Sequence, residues 1–202
     1  MALDQEEKKE QIIFAAMVLF AKKGFAKTSM ADIAKEAGIG KGTTYEYFKG
    51  KDELFFATFE LFAKHSEKAA RLSLKNLAPK SAAEKIRVFS QSVLDSIKES
   101  KEFFPLILEF WAASASSKYR DEMKKVFNDL YRKIGDILIA IINEGIANEE
   151  FHSHTDVESV VPGIVGAWDA IGLQSWFNDE FDMEKTMNSF ADLIIRGFLK
   201  KE

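Results

Sequence analysis

The chain predicts an all-α protein of about nine helices, an N-terminal three-helix unit with a helix-turn-helix followed by a larger helical domain. Three observations predict it. Apolar residues recur at three- and four-residue spacing along nearly the whole length. Polar breaks carrying Gly, or Ser with an acid three residues on, punctuate that pattern. Alternating stretches of the kind that form strands are missing from the sequence, as are repeats and low-complexity tracts.

The first helix carries Ile12, Ala16, Leu19 and Phe20 on one face and stops at Gly24 behind Lys22 and Lys23. Thr28 and Ser29 precede a short second helix with apolar Met30, Ile33, Ala34 and Ala37, and Ser29 with Asp32 has capping-box spacing. Gly38-Ile39-Gly40 alone separates it from a third helix, Lys41 to Phe48. After Lys49-Gly50-Lys51, Asp52 is expected to cap a fourth helix running to about Leu74. Pro79-Lys80-Ser81 starts a fifth, with Ile86, Phe89, Val93 and Ile97 on one face. Phe103 to Trp111 is apolar nearly all round, the mark of a fully buried sixth helix. Met123, Phe127, Leu130, Ile134, Ile137 and Ile141 define a seventh that ends near Gly145, and Asn148 to Thr155 reads as a polar loop. Val157, Val161, Ile164, Trp168 and Ile171 mark an eighth helix, and Met183, Met187, Phe190, Ile194 and Phe198 a ninth. The expected division is residues 1–51 and 52–202.

Composition narrows the chemistry. The 202 residues are 47% hydrophobic and 30% charged, an ordinary globular balance. With no Cys, thiol catalysis, iron–sulfur clusters, Cys-ligated zinc and disulfide scaffolds are excluded. The longest apolar runs are about ten residues, against about 20 needed to cross a bilayer. One of them, Ile12 to Ala21, has the length of a signal-peptide core. Asp4, Glu6, Glu7 and Glu10 outweigh Lys8 and Lys9 before it, and Lys22-Lys23 stands where a cleavage site belongs. It reads as a buried helix of a cytoplasmic protein. The net charge of -4 is uneven: Lys22 to Lys51 holds seven Lys against three acids. That basic stretch is either the footprint of a polyanion partner or a solvated face.

Two short helices joined by three residues with Gly at the turn form a helix-turn-helix, motif residues about 30–48. The DNA major groove admits one helix, so the second must stand clear of its domain at a fixed angle. Gly38 supplies the positive φ for leaving the first helix, Ile39 an apolar anchor, and Ala34 and Ala37 a close helix approach. Lys41, Thr43, Thr44, Tyr45 and Tyr47 are expected outward with Phe48 closing the core, while the helix start offers free N–H groups to phosphate.

Phe20 to Phe25, Thr28 to Gly38, Lys41 to Phe48 and Lys51 to Leu54 resemble the DNA-binding domain of the tetracycline-repressor (TetR) family. The resemblance implies a homodimeric bacterial transcription regulator, usually a repressor, with an all-α C-terminal domain that binds a small effector. It makes Thr28, Tyr47 and Lys51 phosphate contacts and turns Lys41, Thr43 and Tyr45 toward the groove. Three positions depart from the family pattern. Gly40 stands where a Ser or Thr cap is usual, Thr44 where Leu is commoner, and Glu46 where a neutral residue is commoner. Glu46 either accepts from a cytosine amino group or points away. No Arg precedes Arg71, so any guanine contact falls to Lys41.

Other motifs carry less. Gly38-Ile-Gly-Lys-Gly-Thr43 superficially suggests a phosphate loop, but a helix precedes it where nucleotide motifs need a strand. Glu149-x-x-His152 is one copy of a di-iron motif that needs two. His152, His154 and Asp156 suit only adventitious metal binding. Without a nucleophile–base–acid set, neither an enzyme nor a cofactor is predicted, and a pure protein adaptor leaves the recognition helix without a task.

Eighteen Phe and three Trp favour a large aromatic core. Helical bundles also hold ligand cavities between facing helices. The candidate lining is Phe59, Phe62 and His65 on the fourth helix, Phe89 on the fifth, and Glu109, Phe110 and Trp111 on the sixth, with Phe127 and Tyr131 on the seventh and Trp168 on the eighth. Glu109 either faces that cavity or faces water, and His65 is either a boundary residue or a ligand contact. The expected effector is small and apolar or aromatic. The expected partners are otherwise an operator in double-stranded DNA and a second copy of the chain, joined through residues about 157–175 and 183–199, where Gly163, Gly166 and Gly172 permit close helix approach. Two-fold symmetry then sets two recognition helices roughly 34–36 Å apart on a pseudopalindrome.

Overall fold

The computed structural model describes residues 4–77, 80–115 and 118–200, and among them it is all-helical. Nine α-helices are present among those residues: α1 (Gln5–Lys23), α2 (Met30–Glu36), α3 (Lys41–Tyr47), α4 (Lys51–Leu77), α5 (Ala82–Glu99), α6 (Phe104–Ser114), α7 (Arg120–Ala147), α8 (Val157–Phe177) and α9 (Met183–Phe198). A 3-10 turn, Lys101–Phe103, leads into α6. Pro79, expected to restart the chain before α5, lies outside the described residues.

Packing divides the chain into two compact units. The first joins the residues up to His65 with Glu102–Asn128, so α6 and the first turns of α7 belong to the same unit as α1 to α3, and α6 packs on α1. Asp4 and Glu7 form a full capping box at the start of α1, and Ile12, Ala16, Leu19 and Phe20 are buried along it. The Ser29–Asp32 box is also complete: Ser29 accepts from the Asp32 N–H, and Asp32 accepts from the Ser29 N–H. An aromatic chain fills the rest of this unit, with Phe55 at 4.7 Å from Phe25 and 4.6 Å from Phe110.

Two expectations fail in this unit. Asp52 does not cap α4, which starts one residue earlier; Glu53 in its first turn reaches back to accept from the Lys49 N–H at 2.7 Å. Asp52 instead receives Lys118 Nζ at 2.8 Å and the Tyr119 hydroxyl at 2.9 Å. The Lys118 hydrogen bond holds the Asp52 carboxyl below its ordinary range, and the Lys118 ammonium is in turn pushed up to about 12. Nor is α6 buried all round: Phe104, Leu106 and Phe110 are buried while Ala112 is exposed.

The second unit holds Ser66–Lys101 and the chain from Asp129 onward. Its core runs through Ile86, Phe89, Leu138, Ile142, Val161, Trp168, Met187 and Phe198. Ser81 and Glu84 box the start of α5, and Glu150 adds a second cap by accepting from the Ala82 and Ala83 N–H groups at 2.7 and 2.8 Å. The segment read as a polar loop is anchored rather than solvated. Phe151 is wholly buried against Gly145 and Phe198, and it bridges to Leu199. Its neighbours' polarity hid one core residue. No helix among the described residues is long and apolar enough to cross a membrane.

Candidate functional site

The helix-turn-helix is built from the turn outward. Gly38 takes φ 66°, the left-handed conformation that ends α2 without a Cβ penalty. The Ile39 N–H then donates to the Ala34 carbonyl at 3.0 Å, closing the turn. Gly40 caps α3 without any side-chain hydrogen bond, as its lack of a side chain dictates.

Thr44 on α3 and Phe48 directly after it are buried, at 0% and 3% exposure. Their four-residue spacing puts both on one face. Thr44 is therefore a correction to the outward set: its hydroxyl turns back toward the Gly40 carbonyl at 3.4 Å. Lys41, Tyr45 and Glu46 are exposed, and Thr43 and Tyr47 half-buried. Tyr45 shows 47% of its surface. Glu46 lies outward beside Tyr45, on the same solvated side of the helix.

Two further expected DNA contacts are engaged within the protein. Thr28 is buried, and its hydroxyl donates to the Gly24 carbonyl at 2.9 Å. The Lys51 ammonium donates to the Phe25 carbonyl at 2.7 Å and the Ala26 carbonyl at 3.3 Å, and lies 4.4 Å from the centre of the Phe25 ring. Both side chains brace the turn between α1 and α2.

The ten candidate effector residues fall into two groups. In the first unit, Phe59 is wholly buried 4.7 Å from Phe110 and 4.9 Å from Phe127. Phe62 and Trp111 are half-buried, and His65 is exposed. Glu109 is half-buried, and both its oxygens accept from the Phe25 N–H, at 3.0 and 3.2 Å. Its partner lies 84 residues away in sequence, beyond the reach of any local signal.

In the second unit, Phe89 packs edge-on to Trp168 at 5.5 Å. The Trp168 indole N–H is buried and finds no acceptor among the described residues. Tyr131 is exposed and donates to the Asp169 carboxylate at 2.8 Å. That pair sits in a groove of about 500 Å³ between α7 and α8, with Pro162 and Gly166 in its wall. Burial raises the Asp169 carboxyl above its ordinary value, and the Tyr131 hydrogen bond opposes the rise. Burial also pushes the Tyr131 phenol up. Asp169 was missed at the sequence level, although Pro162, Gly166 and Asp169 recur at the spacing of one helix face.

Residues 12–58 match the family model for bacterial regulatory proteins of the tetR family. The chain is 31% identical over 140 residues to the uncharacterized HTH-type transcriptional regulator YerO of Bacillus subtilis, covering 69% of this chain and 48% of that one. It thus spans about half of YerO's length. The transcriptional regulator FadR of Bacillus subtilis, solved with stearoyl-CoA, superposes with a TM-score of 0.74 at 25% identity, over 94% of this chain and 98% of that chain. A transcriptional regulator from Saccharomonospora viridis, solved with choline, shares the fold at a TM-score of 0.80 and 18% identity, over 98% and 100%.

Proposed function

This chain belongs to the tetR family of bacterial regulatory proteins and is a DNA-binding transcriptional regulator, not an enzyme; we propose that it is a homodimeric repressor, released from a pseudopalindromic operator by a small apolar or aromatic effector. The observation that carries the DNA-binding half of this reading is α3. Its inward face is pinned by Thr44 and Phe48, and that leaves Lys41, Thr43, Tyr45 and Tyr47 for the duplex. We assign base-edge contacts to Lys41, Thr43 and Tyr45, and a phosphate contact to Tyr47.

Dimerisation through α8 and α9 is supported by the apolar side chains these helices leave in water. Phe177 is 73% exposed and Leu193 66%. Gly163 and Gly166 have open space where a side chain would stand, so a second backbone can approach.

The effector reading is supported by the buried, unpaired Trp168 N–H. A buried donor without an acceptor costs about 1–3 kcal/mol, and a ligand that supplies the acceptor recovers it. A cationic effector is the second reading, favoured by Tyr131 and the part-buried Asp169 carboxylate in their groove. By linkage, an effector that weakens operator binding is itself held less tightly by the DNA complex, by the same factor. The family's usual cytoplasmic setting goes with this role.

The test is selection of duplex DNA from a random pool, then fluorescence anisotropy on the enriched sequence. Enrichment of a two-fold symmetric site, and its release by stearoyl-CoA or choline used as probes, is the expected outcome. Uniform affinity for all duplexes counts against an operator. Release by choline but not by stearoyl-CoA favours the cationic reading.

A further inference from the structure

The turn between α1 and α2 is held more tightly than a surface turn needs to be. Gly24 adopts φ 79°, and a Cβ there would stand 3.0 Å from Glu109 Oε1. The missing side chain lets the α6 carboxylate reach the next N–H, that of Phe25. The Phe25 carbonyl accepts from Lys51, the first residue of α4, and from the Thr28 N–H at 3.3 Å. The Phe25 ring is wedged at 5.4 Å from Phe20 and 4.7 Å from Phe55. One residue is therefore gripped at its N–H by an anion on α6 and at its carbonyl by a cation on α4.

The recognition unit begins directly after Phe25. Thr28 ties back to Gly24, Ser29 caps α2, and α2 packs against α3. A shift of the Phe25 backbone therefore displaces the start of α2, and α3 with it. Glu109 is the single charged residue of α6, so its place among apolar neighbours is explained by this one contact.

We propose that Phe25 is the point where movement of α6 and α4 passes to the recognition unit, and that Glu109 and Lys51 are positioning residues for operator binding. The inference rests on the operator-binding reading of α3. It assigns Lys51 to the protein's own backbone rather than to a DNA phosphate.

Two opposite expectations make it testable on the full chain, using the duplex enriched by the unaltered protein. Losing an anion ordinarily favours DNA binding, whereas losing a positioning group weakens it. Glu109→Leu is expected to weaken specific binding about tenfold, the equivalent of one charge-assisted hydrogen bond. Glu109→Gln keeps an oxygen acceptor and is expected to restore most of the affinity. Lys51→Met is expected to weaken binding with the slope of log affinity against log salt unchanged; a lost phosphate contact lowers that slope by about 0.9.

Amide hydrogen exchange on the free proteins gives a reading that needs no DNA. In Glu109→Leu, faster exchange is expected to extend from Phe25 through the amides of α2 and α3, with α5, α8 and α9 unaltered. The proposal is overturned if Glu109→Leu, with that second unit still protected, binds as tightly as the parent. It is equally overturned if Lys51→Met loses a phosphate's worth of salt slope, or if faster exchange stays confined to Phe25. Failure of the unaltered protein to enrich any duplex sinks the operator reading alone, and the exchange experiment still decides whether Phe25 governs α2 and α3.

Discussion

A side chain can read a base edge only if its helix is held against rotation, and two residues, one on α3 and one at its end, do the holding. Thr44 and Phe48 point into the core, fixing Lys41 and Thr43 on the free side. Lys41→Ala or Thr43→Ala is therefore expected to change which bases are preferred, at about 1–3 kcal/mol per contacted pair. Tyr47→Phe is expected to weaken every duplex alike, by roughly two- to tenfold for one lost hydrogen bond. Anisotropy on enriched and scrambled duplexes separates the two; equal loss on both from the Lys41 or Thr43 change ends their base-reading role. The capping and turn residues of this unit were legible because their physics is local. Ser29 sees Asp32 three residues on, and Gly38 must take its positive φ whatever lies elsewhere. Thr44 was misplaced because its polar type suggested water, while its four-residue distance from Phe48 pointed inward. Glu109 and Lys51 were beyond reach, since their partner Phe25 is remote in sequence.

Between elements, the junctions of α7 with its neighbours make two sharp demands. At Gly145 a Cβ would stand 2.3 Å from the Phe151 ring and 2.8 Å from the Ala82 Cβ. Phe151 is fully buried and has nowhere to retreat. Gly145→Ala is expected to cost about 1–3 kcal/mol, read as a lower denaturation midpoint, since overpacking forces the backbone apart. Phe151 was hidden because a lone apolar residue among Asn, Glu and His looks like a loop. The second demand is electrostatic. Asp169 has a folded-state pKa raised by burial, so the fold binds its proton more tightly than the unfolded chain does. Protonation as pH falls through that raised value stabilises the protein, and the ionised form at neutral pH works against it. Asp169→Asn keeps an acceptor for Tyr131 without the charge. Its melting temperature is expected to exceed the parent's at pH 8, with the gap closing toward pH 4, near the ordinary Asp value of about 3.9. Parallel melting curves across that range would mean that the Asp169 charge carries no such penalty.

For the whole molecule, the proposed repressor on a two-fold operator needs two copies, and α8 and α9 are the surface proposed for joining them. The helices themselves were legible from their spacing, since Val161, Trp168, Met187 and Phe198 are all buried. Their outward residues were not, because a sequence cannot separate an apolar residue that packs within the chain from one that awaits a partner. Leu193 and Phe177 stand 66% and 73% exposed on α9 and α8, as the proposed pairing of these helices requires. Stable interfaces bury about 800 Å² per partner around apolar anchors, and a charge at an anchor pays desolvation with nothing to offset it. Under the proposed pairing, Leu193→Glu is expected to leave the protein monomeric at micromolar concentration where the parent is dimeric, seen by sedimentation velocity, with helix content unchanged. Operator affinity then falls steeply, since each half-site is bound alone, while Phe177→Ala produces a weaker form of the same defect. A Leu193→Glu protein that still sediments as a dimer moves the interface off this part of α9, and the spacing of the two recognition helices then needs a different pairing surface.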